Sequence, residues 1–198
     1  MRIIGGKFKS RKILFPKNRL TRPMTDRSKE TLFDILGNLV DSKRVLDLYA
    51  GSGSLGLEAF SRGAAEVTFV DQADWAARVI QKNIEALAIQ PFCELIRLDI
   101  FKAIDRLEKK GKKFSLIFVD PPFMKGLVKK TLMRLDSSDI VAPFAQVVVG
   151  HARQEPLPES FSALNVTRTK RIGQACLSFL FRVGSKDGET KSYLSGDF

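Results

Sequence analysis

Residues 47–56 read Asp47-Leu48-Tyr49-Ala50-Gly51-Ser52-Gly53-Ser54-Leu55-Gly56, and they join a buried-type strand over 44–49 to a helix over 54–61. Gly51 and Gly53 let the backbone turn sharply and approach a ligand where any side chain would collide. The spacing of the three glycines also fits a dinucleotide site, so the glycines alone discriminate poorly between ligands. Asp47 lies four residues before the first glycine, and a carboxylate there can bind an ammonium group but repels a pyrophosphate. The stretch therefore predicts a strand–turn–helix unit that binds a ligand.

Strands and helices alternate regularly on both sides of this unit. An amphipathic helix precedes it and stops at Gly37. After it, strands are predicted over 66–70, 93–98, 114–119 and 145–149, and helices over 74–88, 101–109 and 126–135. Segments 162–170 and 175–183 read as a closing antiparallel pair. Strands separated by helices of about ten to fifteen residues indicate an α/β fold with a mostly parallel sheet.

Two further acidic residues end strands of this predicted sheet. Asp71 follows the second strand, twenty residues after Gly51, which is the spacing at which a carboxylate reaches both ribose hydroxyls of an adenosine. Asp99 follows the third strand and can receive an adenine amino group, with Ile100 or Phe101 flanking the ring. A strand-end Asp is also often just the N-cap of the next helix. Together with Asp47, these residues predict a site for S-adenosylmethionine.

The sequence Asp120-Pro121-Pro122-Phe123 follows the fourth strand directly. The Asp120 carboxylate and the Pro121 carbonyl can both accept hydrogen bonds from one amino group, and Phe123 can stack on the base that carries it. Two acceptors outside the ring plane favour a tetrahedral nitrogen whose lone pair is free to attack. A proline-rich strand exit with Phe123 packed in the core is the competing interpretation. At this place in the sheet the motif predicts methyl transfer to an exocyclic amine.

Charge is distributed unevenly along the chain. The net charge is +11, and residues 1–22 contain eight basic side chains and no acidic one. Apolar residues are interleaved with these charges, and Gly5-Gly6 can form a turn, which favours a basic hairpin over a solvated tail. Such asymmetry indicates a polyanionic partner, and nucleic acid is favoured over an anionic membrane surface.

Composition excludes several classes of protein. The chain has 198 residues, of which 44% are hydrophobic, enough for one domain with a sizeable core. Cys93 and Cys176 lie in apolar strand-like runs, so we expect no disulfide framework and a cytoplasmic location. With His151 as the single histidine, a zinc site has too few ligands. We also expect no membrane span, no metal and a monomer. The expected division is an arm over 1–22, a catalytic domain over 23–183 and a polar tail over 184–198.

From Arg2 to about Val183 the sequence resembles the bacterial 16S rRNA (guanine(966)-N(2))-methyltransferases. The resemblance is carried by Arg2-Ile3-Ile4-Gly5-Gly6-Lys7-Phe8, by Arg22-Pro23-Met24-Thr25-Asp26-Arg27, by residues 45–53 and 56–59, and by Asp120–Phe123. It implies a Rossmann-like class I methyltransferase with a seven-stranded sheet, and an N-terminal hairpin that helps to hold RNA. It places Asp47, Tyr49, Ala50, Gly51, Gly53, Asp71, Asp99 and Ile100 around S-adenosylmethionine. It implies that the target base is held by Asp120, Pro121, Pro122 and Phe123. The partner is 16S ribosomal RNA or the assembling small subunit, and the residues expected to contact it are Arg2, Lys7, Lys9, Arg11, Lys12, Arg22 and Arg27.

Three positions depart from the family pattern. Asp71 stands where the family commonly has Glu, and Gly150-His151 where it often has Glu. His151 is interpreted as a local substitution rather than a catalytic base. Trp75 is unlike the usual small or polar residue and is interpreted first as a packing residue, with lining of the adenine pocket as the alternative.

Three other functions remain open at this stage. A DNA adenine or cytosine amino methyltransferase uses the same Asp120–Phe123 motif, but the sequence shows no additional target-recognition domain. An NAD-dependent oxidoreductase explains the glycine loop and gives no role to Asp120–Phe123. A non-catalytic RNA-binding protein with the same fold is the third possibility.

Overall fold

The computed structural model describes residues 1–15 and 24–184, and its centre is one seven-stranded sheet. The strands are β1 (Arg44–Leu48), β2 (Glu66–Val70), β3 (Cys93–Ile96), β4 (Phe114–Val119), β5 (Val141–Ala152), β6 (Leu164–Ile172) and β7 (Ala175–Arg182). The helices are α1 (Asp26–Leu36), α2 (Ser54–Ser61), α3 (Asp74–Ala86), α4 (Ile100–Lys109) and α5 (Leu127–Asp136). The strand order is β3-β2-β1-β4-β5-β7-β6. The predicted α/β class and mostly parallel sheet are confirmed.

Strands β1 to β5 pair in parallel, whereas β7 runs antiparallel to both β5 and β6. The order reverses direction between β1 and β4, and a crevice opens beyond the carboxyl ends of the strands at such a switch point. The central strands are buried on both faces, because helices cover the sheet on each side. One apolar cluster joins the sheet to α1, α2 and α3, and another joins it to α4 and α5.

The N-terminal arm folds back on itself and packs against the sheet's helical layer. An antiparallel bridge links Arg2 to Lys12, and Ile3 and Ile13 are buried in the main core. Gly6 has φ +71°, and a Cβ there would lie 1.8 Å from the Ser61 carbonyl oxygen, so this close approach requires glycine. Residues 1–15 of the arm are therefore packed against the rest of the fold rather than extended from it.

A buried ion pair fixes the arm. Lys29 of α1 and Glu58 of α2 are fully buried, with 3.4 Å between Nζ and Oε2. The two oxygens of Glu58 accept hydrogen bonds from the backbone N–H groups of Ile4 and Gly5, each at 2.8 Å. The Lys29 ammonium donates to the Arg2 carbonyl oxygen at 2.8 Å. Burial lowers the pKa of Lys29, and the attraction of Glu58 partly offsets that effect.

Most element boundaries agree with the sequence prediction to within one or two residues, and the main difference is in β5. The pattern predicted a strand over 145–149, whereas β5 begins at Val141 and ends at Ala152. Its first part includes a register shift against β4, and Phe144 has φ +62°. None of the helices in the described part of the chain is long and apolar enough to cross a membrane.

Candidate active site

A cleft of about 1230 Å³ lies beyond the carboxyl ends of β1 to β5. Its walls come from the segments that follow each of these strands, so the parallel sheet brings residues distant in sequence to one place. Asp47, Tyr49, Ala50, Gly51, Asp71, Asp99, Ile100 and the whole segment Asp120–Phe123 line it. Gly53, also predicted to bind the cofactor, is buried behind this surface and caps α2 with φ +77°.

The glycine loop is held by hydrogen bonds within the protein. Gly51 N donates to Asp71 Oδ2 at 2.9 Å, Gly53 N to the Ala50 carbonyl at 2.7 Å, and Gly56 N to Asp47 Oδ2 at 2.9 Å. A dinucleotide loop needs free N–H groups of this kind to bind a pyrophosphate. Because all three glycine N–H groups already have acceptors, this loop is poorly suited to a dinucleotide.

The carboxyl groups of Asp47, Asp71 and Asp120 lie near one another behind the loop. Asp47 is 1% exposed, and desolvation by burial raises its pKa well above the ordinary value, as do the neighbouring carboxylates Asp120 and Asp71. A cationic ligand group would relieve this repulsion, whereas an anionic one would increase it. These carboxyl groups therefore suit a nucleoside that carries an ammonium and a sulfonium group, as S-adenosylmethionine does.

Asp71 and Asp99 have structural partners in addition to their predicted roles. Asp71 Oδ1 accepts from Ala73 N at 2.9 Å, so this side chain ties the start of α3 to the glycine loop. Asp99 is the N-cap of α4, as its competing interpretation predicted, and accepts from Phe101 N at 3.0 Å. Both carboxylates also line the cleft, which leaves lone pairs for a ribose and a base.

Trp75 lines the same cleft, with Cη2 3.9 Å from where a Cβ on Gly51 would lie. It is only partly buried. This position agrees with the alternative interpretation of Trp75, a wall of the nucleoside pocket, and its partial burial agrees with the first interpretation, a packing residue.

Asp120 lies at the base of the cleft, where β4 ends. Burial desolvates its carboxylate and raises its pKa to about 6. Gly150 at the end of β5 makes room for it, because a Cβ on Gly150 would lie 2.4 Å from Asp120 Oδ1. At neutral pH the carboxylate form predominates and can accept a hydrogen bond from an amine.

Two of the three other residues of the motif are exposed at the cleft. Pro121 is buried, Pro122 is exposed, and Phe123 is 43% exposed. The competing interpretation, a Phe123 packed in the core, was therefore wrong. An aromatic ring left at the mouth of a cleft can stack on a base.

His151 is buried inside the sheet and is fully hydrogen-bonded. Its Nδ1 lies 3.0 Å from the Ala152 carbonyl oxygen and 2.9 Å from that of Glu155, so Nδ1 carries the proton. Nε2 then accepts from Ser178 Oγ at 2.9 Å. Both ring nitrogens are engaged, which leaves neither to take a proton from a substrate.

The residues predicted to contact RNA fall into two groups. Arg2 and Lys12 line a depression next to the cleft, since Met1 and Phe15 line both, and Arg2 pairs with Asp26 at 3.3 Å. Arg27 lies in the first turn of α1, between Thr25 and Ser28, which line the cleft. The turn of the arm lies instead at the far ends of α2 and α3, where Lys7 Nζ sits 4.1 Å from the Phe60 ring centre and Arg11 donates to the Ala86 carbonyl. Lys9 is exposed in that turn. Arg22 lies outside the described residues.

Sequence reasoning missed two residues beside Asp120–Phe123. One is Gly150, which was noted only as a departure from the family pattern. The other is Glu155, which is 9% exposed and whose Oε2 accepts from Met124 N at 3.1 Å. An isolated Glu in the loop after β5 gives no signal in sequence, because its partner lies 31 residues away. No cluster of three or more His, Cys, Asp or Glu side chains suited to a metal occurs in residues 1–15 and 24–184.

Residues 1–181 match a family model described as conserved hypothetical protein 95. Ribosomal RNA small subunit methyltransferase D of Escherichia coli K12 is 35% identical over 88% of this chain and 86% of its own length. The protein of the same name from Buchnera aphidicola of Acyrthosiphon pisum is 39% identical over 86% of this chain and 88% of its own length.

A solved structure of the Escherichia coli candidate methyltransferase yhhF has the same architecture. It superposes with a TM-score of 0.81 and 33% identity, over 93% of this chain and 98% of that one.

Proposed function

Because the chain belongs to the family of ribosomal RNA small subunit methyltransferase D, we propose that it transfers a methyl group from S-adenosylmethionine to the N2 amine of a guanine in small-subunit ribosomal RNA. The observation that carries this proposal is the desolvated Asp120 carboxylate beside the exposed Phe123 ring, at the base of a cleft whose acidic wall suits a cation. We place the reaction in the cytoplasm.

The proposed roles follow from the positions of the side chains. Asp47, Asp71 and Asp99 bind the amino-acid, ribose and adenine parts of the cofactor, with Trp75 beside the nucleoside. When bound, S-adenosylmethionine supplies an electrophilic methyl group. Phe123 stacks on the guanine, and Asp120 and the Pro121 carbonyl accept hydrogen bonds from its amine, which holds the nitrogen lone pair out of the ring plane. The methylated nitrogen loses its extra proton to water after transfer, so no strong base is required.

The test combines methyl transfer with cofactor binding. The protein is incubated with methyl-labelled S-adenosylmethionine and unmethylated small-subunit RNA, either free or assembled with ribosomal proteins, and the nucleosides are identified by mass spectrometry. We expect N2-methylguanosine with wild type and none with Asp120→Ala, while calorimetry gives cofactor affinities within a few-fold of each other.

Other outcomes identify the competing functions. A methylated adenine or cytosine in DNA would identify a DNA amino methyltransferase. Calorimetric binding of NAD in place of S-adenosylmethionine would identify an oxidoreductase. RNA binding without methyl transfer on either substrate would identify a binding protein.

A further inference from the structure

The segment Pro122–Lys125, which follows Asp120 and Pro121, has little support of its own. Met124 is 64% exposed and has φ +59°, an uncommon conformation for a residue with a side chain. Among the hydrogen bonds of the described residues, the contact from Met124 N to Glu155 Oε2 is the one that ties this segment to the rest of the protein.

The backbone of Glu155 is held by two hydrogen bonds. Its N–H donates to the Ala152 carbonyl at 3.0 Å, and its carbonyl accepts from His151 Nδ1 at 2.9 Å. His151 is fixed in turn by Ser178 of β7, whose hydroxyl lies 2.8 Å from Thr169 Oγ1 of β6. A chain of hydrogen bonds thus runs from the edge of the sheet to the backbone of Met124.

The other oxygen of Glu155 has a different environment. Oε1 is buried, and no hydrogen-bond partner for it occurs in the described part of the chain. An unpartnered buried acceptor costs folding free energy, so the stability of the fold does not explain a carboxylate at this position. The hydrogen bond from Met124 N to Glu155 Oε2 does explain a carboxylate at this position.

We infer that Glu155 is a positioning residue that sets the segment Asp120–Phe123 for methyl transfer, with His151 as its support. The inference rests on the proposed function, because it takes that segment as the binding site of the target base. Glu155 acts through Met124 N and does not touch the reacting atoms. Misplacement of a catalytic segment by about 1 Å can cost about 100-fold in rate, so one hydrogen bond of this kind can matter.

The test uses two variants of Glu155 and a control. Glu155→Leu keeps the packing but removes the acceptor, and Glu155→Gln keeps one acceptor oxygen for Met124 N. Glu159→Ala removes the same charge from an exposed position in the same loop. We expect Glu155→Leu to lower kcat by about 10- to 100-fold with little change in the KM for S-adenosylmethionine. Glu155→Gln should restore most of kcat, and Glu159→Ala should equal wild type.

A second measurement follows the loop without relying on activity. Trypsin can cleave after the exposed Lys125, and mass spectrometry of the folded protein gives the rate at that bond. Cleavage should accelerate in Glu155→Leu and stay at the wild-type rate in Glu155→Gln and Glu159→Ala. The thermal midpoint of Glu155→Leu should not fall, because an unpartnered buried oxygen has been removed.

Several results would overturn the inference. One is wild-type kcat and wild-type cleavage at Lys125 in Glu155→Leu. Another is a loss of folding in Glu155→Leu, which would make Glu155 a residue of the core. Failure of wild type to methylate any RNA refutes the proposed function instead, and the cleavage assay still reports whether Glu155 holds the loop.

Discussion

Asp120 is a carboxylate that the fold holds away from water, and its pKa is raised from 3.8 to about 6 by burial. A raised carboxyl pKa means that the folded state prefers the protonated form. The resulting stability is fully present below about pH 4 and is lost as the pH rises through about 6. The acceptor role proposed for Asp120 requires the ionised form, so activity should rise over the same interval in which this contribution to stability falls.

Asp120→Asn separates these two effects. The variant should be more stable than wild type at pH 8, by on the order of 2–3 kcal/mol, because no charge is desolvated. At pH 4 the two proteins should be nearly equal in stability. Methyl transfer should fall steeply at every pH, while cofactor affinity stays within a few-fold of wild type. Urea unfolding at the two pH values provides the first measurement and labelled methyl transfer the second. Equal stability at pH 8 would show that Asp120 is well solvated.

Gly150 gives a second prediction, because its role is to leave space. In Gly150→Ala the new methyl group would lie 2.4 Å from Asp120 Oδ1, so the carboxylate must move. We expect kcat to fall by about 10- to 100-fold with unchanged cofactor affinity. Gly150→Ala should also lower the urea unfolding midpoint, whereas in the inactive Asp120→Ala background it should leave that midpoint unchanged, since the displaced group is absent. An equal fall of the midpoint in both backgrounds would place the cause elsewhere.

Among single residues, the sequence predicts those that belong to a characteristic motif. It does not predict those whose role depends on a contact with a residue distant in sequence. Asp47, Asp71, Asp99 and Asp120 could be predicted because each lies near the carboxyl end of a strand, and parallel strands end at the same edge of the sheet. Gly150 and Glu155 could not, since their importance depends on distances across strands and loops. Trp75 shows the same limit, because whether an aromatic residue packs inward or faces a cleft depends on the rotation of its helix.

Among the elements, the N-terminal arm differs most from what its composition indicates. Its charges predict a surface that binds RNA, but its apolar residues Ile3 and Ile13 form part of the core. Alternation of basic and apolar residues could predict the hairpin. The partner of its backbone could not be predicted, because Glu58 is a single acidic residue inside an apolar helix. The extension of β5 before residue 145 was also missed, since the bulge that permits it depends on pairing with β4.

Substitution of Glu58 should destabilise the packing of the arm and lower the free energy of unfolding. Glu58→Ala leaves the Lys29 ammonium buried without its partner and the N–H groups of Ile4 and Gly5 without acceptors. Breaking a buried pair in this way costs about 3–5 kcal/mol. The double variant Lys29→Met/Glu58→Gln removes both charges and keeps one acceptor, so it should be clearly more stable than Glu58→Ala. Urea unfolding measures both. A double variant no more stable than Glu58→Ala would show that the ion pair does not dominate this contact.

Over the whole molecule, positive charge lies at both ends of the sheet, and only one end has the cleft. At the cleft end lie the exposed Lys12 of the arm and the exposed Lys170 and Arg171, which directly precede the cleft-lining Ile172 at the end of β6. Lys9 lies in the turn of the arm at the other end, as does Lys113 just before β4. Removing the arm is not a clean experiment, because its deletion would expose the core and take away the backbone partners of the buried Lys29 and Glu58. Individual exposed Lys and Arg side chains should be substituted instead.

The last prediction is that RNA contacts the cleft end of the molecule. Lys12→Gln/Arg171→Gln removes two charges from that end, and Lys9→Gln/Lys113→Gln removes two from the other. If each cation at the cleft end neutralises one phosphate, the slope of log affinity against log salt becomes shallower by about 1.4 for single-stranded RNA and about 1.8 for a duplex. The far-end variant should keep the wild-type slope. Both should retain cofactor affinity, which serves as the control for folding. Equal changes in slope for the two variants would contradict this prediction. They would show that RNA phosphates contact the far end of the molecule as well as the cleft end.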